Sequence, residues 1–172
     1  MKKGEKLYNM IFPVWLLWLI PITWIVVLPA NFLLDLAVIL STMKYLKITE
    51  IKQKSKSVIF KTWILGFIAD FIGTFFMLSV SLIDSKLSLD TAFGKWWYYN
   101  MNAVTYSPLD NIYSILWTAI CVVITALFIY LLNYKICFKK LEIEDALKKK
   151  LALSLAIFTA PYLFFLPTSL FF

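Results

Sequence analysis

A chain of 172 residues has room for one domain, and its 62% hydrophobic and 16% charged residues lie far from soluble proteins, in which about a quarter of residues are charged. The net charge of +7 comes from 17 lysines against 10 acids, with no arginine and no histidine. Those absences exclude a Ser-His-Asp relay, imidazole-held haem or metal, a bidentate clamp on phosphate and an arginine voltage sensor.

Uninterrupted apolar runs of 20 residues or more mark an integral membrane protein. The lysines cluster beside those runs, so the positive charge reads as membrane orientation and contact with anionic headgroups, not as nucleic-acid binding. Abundant Lys, Ile, Phe and Asn fit an AT-rich bacterial genome, which accounts for the missing arginine without a functional cause. No cofactor motif is present, and none is expected to be bound.

In chain order, residues 1–6 hold three lysines and one glutamate, and from Leu7 to Met43 the only charge is Asp35. The start is like a signal peptide, but the run is too long. Leu28 also stands two places before Ala30, where a cleavage site needs a small residue, so the segment reads as an uncleaved anchor. One helix over this run would be about 55 Å long, nearly twice the hydrocarbon thickness. Pro13, Pro21 and Pro29 offer breaks. Either an interfacial or re-entrant piece over 8–20 precedes a helix from near Pro21 to Met43, or two short spans form a tight hairpin. Pro21 suits the first residue of a helix, and Trp15, Trp18 and Trp24 suit an interfacial segment.

Residues 44–61 carry six lysines and one glutamate, which places this loop in the cytoplasm. After a second span, residues 84–111 hold two lysines against three aspartates and belong outside. Residues 112–134 are uncharged, 135–150 carry six lysines and three acids, and 151–172 are again uncharged. The expected fold is an all-α bundle of four long transmembrane helices over 22–43, 62–83, 112–134 and 151–172, in one domain 1–172. An additional N-terminal interfacial or re-entrant segment is expected, in a multi-pass protein of the bacterial inner membrane with its C-terminus outside. Four crossings put the N-terminus outside while Lys2, Lys3 and Lys6 favour the inside, and the segment before residue 30 would reconcile them.

An ionisable group within a span costs at least about 2.5 kcal/mol, so Asp35 and Asp70 are the first candidates for a site. Each lies nine residues from a flanking lysine, Lys44 and Lys61, which would put both about 13 Å below the membrane edge. Asn31, Asp35 and Thr42 share one helix face, and Gly66, Asp70, Gly73 and Met77 share another. Glycines permit close helix approach, so the expected packing sets Asn31 and Asp35 against Gly66 and Gly73. Two such carboxylates cannot both stay ionised cheaply; they would share a proton or be bridged by a cation, with Asn31 and Thr42 beside them. The alternative is that each is protonated or paired and serves as helix glue.

Ser114, Thr118, Cys121 and Thr125 form a further stripe, read as a close-packing face whose hydroxyls bond back to helix carbonyls and not as a conduit. Cys121 and Cys137 stand in no CxxC spacing and read as small hydrophobes. Trp96, Trp97, Tyr98 and Tyr99 read as an interfacial aromatic belt, with a sugar or headgroup platform as the alternative. Residues 139–150 read as a solvated helix with Glu144 and Lys148 paired at i, i+4. Pro161 and Pro167 are kink points in the last span.

Two membrane aspartates also raise an intramembrane aspartyl peptidase. The chain is similar to lipoprotein signal peptidases in length and span number, and Ala69-Asp70 matches an Ala-Asp pair of theirs. Phe67 stands where that motif has asparagine, and the Asn-x-x-Asp-Arg signature is absent around Asp35; a GxGD motif is absent around Asp70 as well. No family follows. The function expected first is a cation- or proton-linked transporter or channel, with conduction requiring a homo-oligomer. An accessory subunit binding another membrane protein comes second, and an aspartate-dependent membrane enzyme third.

Overall fold

The computed structural model describes residues 23–168, and all of their regular structure is helical. The N-terminal segment 8–20 and the last four residues of the chain lie outside the described residues. Helix α1 spans Trp24–Tyr45, α2 Ile51–Asp84, α3 Ala92–Met101, α4 Ala103–Tyr106, α5 Ile112–Leu132 and α6 Asp145–Phe158. Among the described residues, three stretches are long and apolar enough to cross a membrane: Trp24–Tyr45, Ile51–Asp84 and Ile112–Lys140.

The burial pattern of α5 places polar side chains inside and large apolar ones outside. On α5 the hydroxyl-bearing residues Ser114, Thr118 and Thr125, with Cys121, are fully buried, whereas Leu116, Ile120, Val123 and Leu127 on the opposite face are at least half exposed. A helix in water would turn that pattern inside out. Thr118 Oγ1 is enclosed with no hydrogen-bond partner among the described residues, while the other two inward hydroxyls find local carbonyls: Ser114 Oγ donates to Asn111 O at 2.7 Å and Thr125 Oγ1 to Cys121 O at 2.8 Å. This is the close-packing arrangement read from the stripe.

A loop of five residues joins α1 to α2, short enough to make them antiparallel neighbours. It closes through Lys47 and Glu50, both at positive φ (55° and 56°). Helix α2 is 34 residues long, or about 50 Å, because it starts at Ile51 and not near the last lysine of the loop. Lys52, Lys54, Lys56 and Lys61 therefore ride on its first three turns. The lysines therefore do not mark the end of the helix.

At the opposite end α3 starts from Thr91, whose side chain accepts from Gly94 N. It lays Phe93, Trp96, Tyr98 and Tyr99 outward, all at least 40% exposed. Such a short amphipathic helix is the form an interfacial aromatic belt takes.

Two readings of the C-terminal third need correction. Residues 139–150 are not one helix: a 3-10 turn over Phe138–Lys140 ends at extended Leu141, and α6 begins after Glu144. The i, i+4 ion pair is consequently Lys149–Asp145 at 2.9 Å, one residue along from the pair expected. The hydrogen bonds of Lys149 and Tyr134 hold the Asp145 carboxyl below the usual carboxylate range. Any stability from this pair is present above the ordinary aspartate value and fades as pH falls through the lowered one.

Nor do residues 151–172 form one long helix. Helix α6 has 14 residues and ends at Phe158. Pro161 has no N–H to continue the ladder and its ring crowds the carbonyl four residues back. The chain then turns through Tyr162–Phe165, a 3-10 segment that buries Phe164 against α2 and α5. The close packing of that ring favours the turn over continuation of the helix.

Two clusters fill the interior. One, at the lysine-rich end, contains Ile39, Met43, Phe138, Leu151 and Leu155. The other contains Met77, Val80, Met101, Val104, Cys121, Ala160 and Phe164.

Candidate functional site

Between those clusters lies a cavity of about 700 Å³. Ile129 of the first cluster and Ala160 and Phe164 of the second share its wall. Helix α1 contributes Val27, Asn31, Leu34 and Asp35, and α2 contributes Trp63, Gly66, Phe67 and Asp70. The remaining wall is the end of α6 and the turn that follows it, residues 158–164 with Leu166.

Asn31, Asp35, Gly66 and Asp70 are therefore brought together as expected, and Thr42 and Gly73 are not. Thr42 points to α6, where Thr42 Oγ1 and Ser154 Oγ share a hydrogen bond of 2.5 Å. Gly73 faces α5 and the C-terminal turn: a methyl group there would collide with Thr125 Oγ1 and lie 3.1 Å from the Phe164 ring. Removing both Thr42 and Ser154 hydroxyls should show a coupling of about 0.6 kcal/mol in a double-mutant cycle of detergent unfolding. Independent effects of the two would contradict the contact.

A methyl group on Gly66 would sit 3.7 Å from Asp35 Oδ2, so Asp35 lies across from Gly66. Asp70 is one turn further along α2, about 6 Å by helix rise. The side chains of antiparallel helices lean toward their own N-termini, which brings the two carboxyl groups back toward one another.

Asp35 is 7% exposed, and among the described residues it forms no hydrogen bond or ion pair. Asp70 Oδ1 is enclosed and has no hydrogen-bond partner among the described residues. The ion pairs among the described residues are Lys54–Glu50 and Lys149–Asp145, both away from the cavity. No basic side chain lies among the described lining residues. Among the described residues neither aspartate is paired with a lysine.

The end of α6 adds to the negative potential. The last four carbonyls of a helix have no partner within it and carry the negative end of its dipole. Leu155 O accepts from Thr159 N and Thr159 Oγ1, and Ile157 O accepts from the Tyr162 hydroxyl at 2.6 Å. These bonds fix the end of α6, whose Phe158 and the following Thr159 line the same cavity as the two aspartates. Trp63 closes the wall between α1 and α2, its Nε1 donating to Leu28 O at 3.1 Å just before Pro29.

Trp63, Thr159 and Tyr162 were not singled out by sequence reasoning. Aromatic residues in a span look the same whether they face lipid or line a cavity. The usable signal was Pro161, a helix-breaking residue inside an apolar run, which is where discontinuous helices build ion sites. No known protein family, curated protein or solved structure matches the chain.

Proposed function

We propose that the chain is a small polytopic membrane protein that moves protons or an inorganic cation by exchange at Asp35 and Asp70. One observation carries the reading: two carboxylates from adjacent helices, without a basic partner among the described residues, share a cavity with the end of a broken helix. Burying an unpaired negative charge is too costly to leave uncompensated, so each carboxyl group takes a proton or a cation. Two acids in one cavity compete for the same positive charge. The carbonyl end of α6 favours a cation at that point, as discontinuous helices do in secondary transporters. Asn31 offers an amide oxygen and Thr159 a hydroxyl to complete its shell.

By the lysine distribution the ends of α1 and α5 and the start of α6 face the cytoplasm of a bacterial inner membrane. Alternating access would come from α6 and its turn moving against α1 and α2, in one chain or in a homo-oligomer. An accessory role through the Gly66–Gly73 face is the second reading, and the packing of Gly73 against Thr125 and Phe164 argues for the first.

The test is exchange of sodium and of protons in proteoliposomes under an imposed gradient. Saturable flux that is lost on changing both aspartates to asparagine supports the reading, and flux that survives the double change overturns it.

A further inference from the structure

A proton or a sodium ion needs far less room than this cavity provides. Its volume of about 700 Å³ is that of pockets enclosing drug-sized molecules. Its walls carry Trp63, Phe67, Phe158, Tyr162 and Phe164. Aromatic faces attract cations, quaternary ones above all, through the ring quadrupole. At one side stand Asp35, 7% exposed and unpartnered among the described residues, and the enclosed Asp70 Oδ1.

These features select among ligands. An anion would meet two carboxylates and a helix carbonyl end. A neutral apolar molecule would remove water from carboxylates and give nothing in return. A small inorganic ion would leave most of the cavity unfilled. Only a molecule that is both cationic and apolar satisfies the acids and the rings together.

We propose that the cavity binds an organic cation with an apolar body, its charge beside Asp35 and Asp70 and its body against Trp63, Phe67 and Tyr162. This rests on the reading of the aspartates as an exchangeable cation site and names what else that site accepts. Binding displaces one proton from the carboxyl pair to water, so the charge of the cavity is conserved and the two cations exclude each other.

The probe is tetraphenylphosphonium, whose charge does not titrate, added to the purified full-length protein in detergent. Calorimetry in two buffers of different ionisation enthalpy reads affinity and proton release together. Saturable binding is expected, with a proton released and with weaker affinity at lower pH. Asp35→Asn should weaken it by about tenfold or more, the scale of one buried charged contact, and Trp63→Ala by a few-fold. Neutral triphenylphosphine oxide should not compete. Circular dichroism and monodisperse elution show which variants are folded, and if Asp35→Asn is not, Trp63→Ala carries the test. Absence of saturable binding, equal competition by the neutral analogue, or affinity unchanged in folded variants would overturn the proposal. If sodium or proton exchange in proteoliposomes still depends on the aspartates while tetraphenylphosphonium does not bind, the organic-cation inference alone fails. If neither is seen, the exchange reading falls with it.

Discussion

Asp70→Asn alone is expected to bring gradient-driven exchange in proteoliposomes to the level of empty liposomes, and Asp35→Asn to do the same. The double variant should be no worse than either. Asparagine keeps the shape of the side chain and cannot take up or release a proton, so the bundle should insert and fold while the exchange step is lost. Groups acting as one unit show this non-additivity, whereas independent sites multiply their effects. Half-activity in each single variant, combining to a quarter in the double, would mean two separate aspartates and not one site.

The second large effect concerns the two glycines of α2, for which the same substitution should have opposite outcomes. Gly73→Ala places a methyl group on Thr125 Oγ1 and presses on the Phe164 ring. Overpacking of this kind costs about 2 kcal/mol, and here it pushes the C-terminal turn off the bundle. Gly66→Ala meets only Asp35 Oδ2, at an ordinary contact distance. It should be neutral, or more stable by up to about 1 kcal/mol through helix propensity. Thr125→Ala removes the hydroxyl that collides and should recover about half of the loss at Gly73, by the size of such overpacking terms. Unfolding in graded denaturing detergent, followed by circular dichroism, measures all four. Equal effects at Gly66 and Gly73, or no rescue by Thr125→Ala, would contradict the packing described.

These two sets of residues also show how far the sequence could be read. Apolar run length placed α1 and α5 within two residues at their starts and ends (22–43 against Trp24–Tyr45, 112–134 against Ile112–Leu132). It missed the first eleven residues of α2, because a lysine-rich stretch of helix has no apolar-run signal. It also read 151–172 as one helix. Pro161 marked the weak point, but only the fit of Phe164 into the space beside Gly73 decides that the chain turns there.

At the site, Asp35, Asp70, Asn31 and Gly66 were legible, since a charge in an apolar run and a glycine beside it are unusual enough to stand out. The partners of Thr42 and Gly73 were not, because two residues on one helix face can meet different neighbours when a third helix crosses. Thr42 meets Ser154 on α6 and Gly73 meets Thr125 on α5. Nothing in the local pattern of α1 or α2 contains that information.

The central claim is that Asp35 and Asp70 form one site for protons or cations. Infrared titration of the lipid-reconstituted protein, with aspartate carboxyl carbons isotopically labelled, observes it most directly. The account predicts that the two carboxyl groups titrate as a coupled pair in two steps, that Asp35→Asn leaves a single step shifted from both, and that a bound cation moves the bands. Two carboxyl bands that titrate independently, each unmoved by substitution of the other and by any cation, would contradict it.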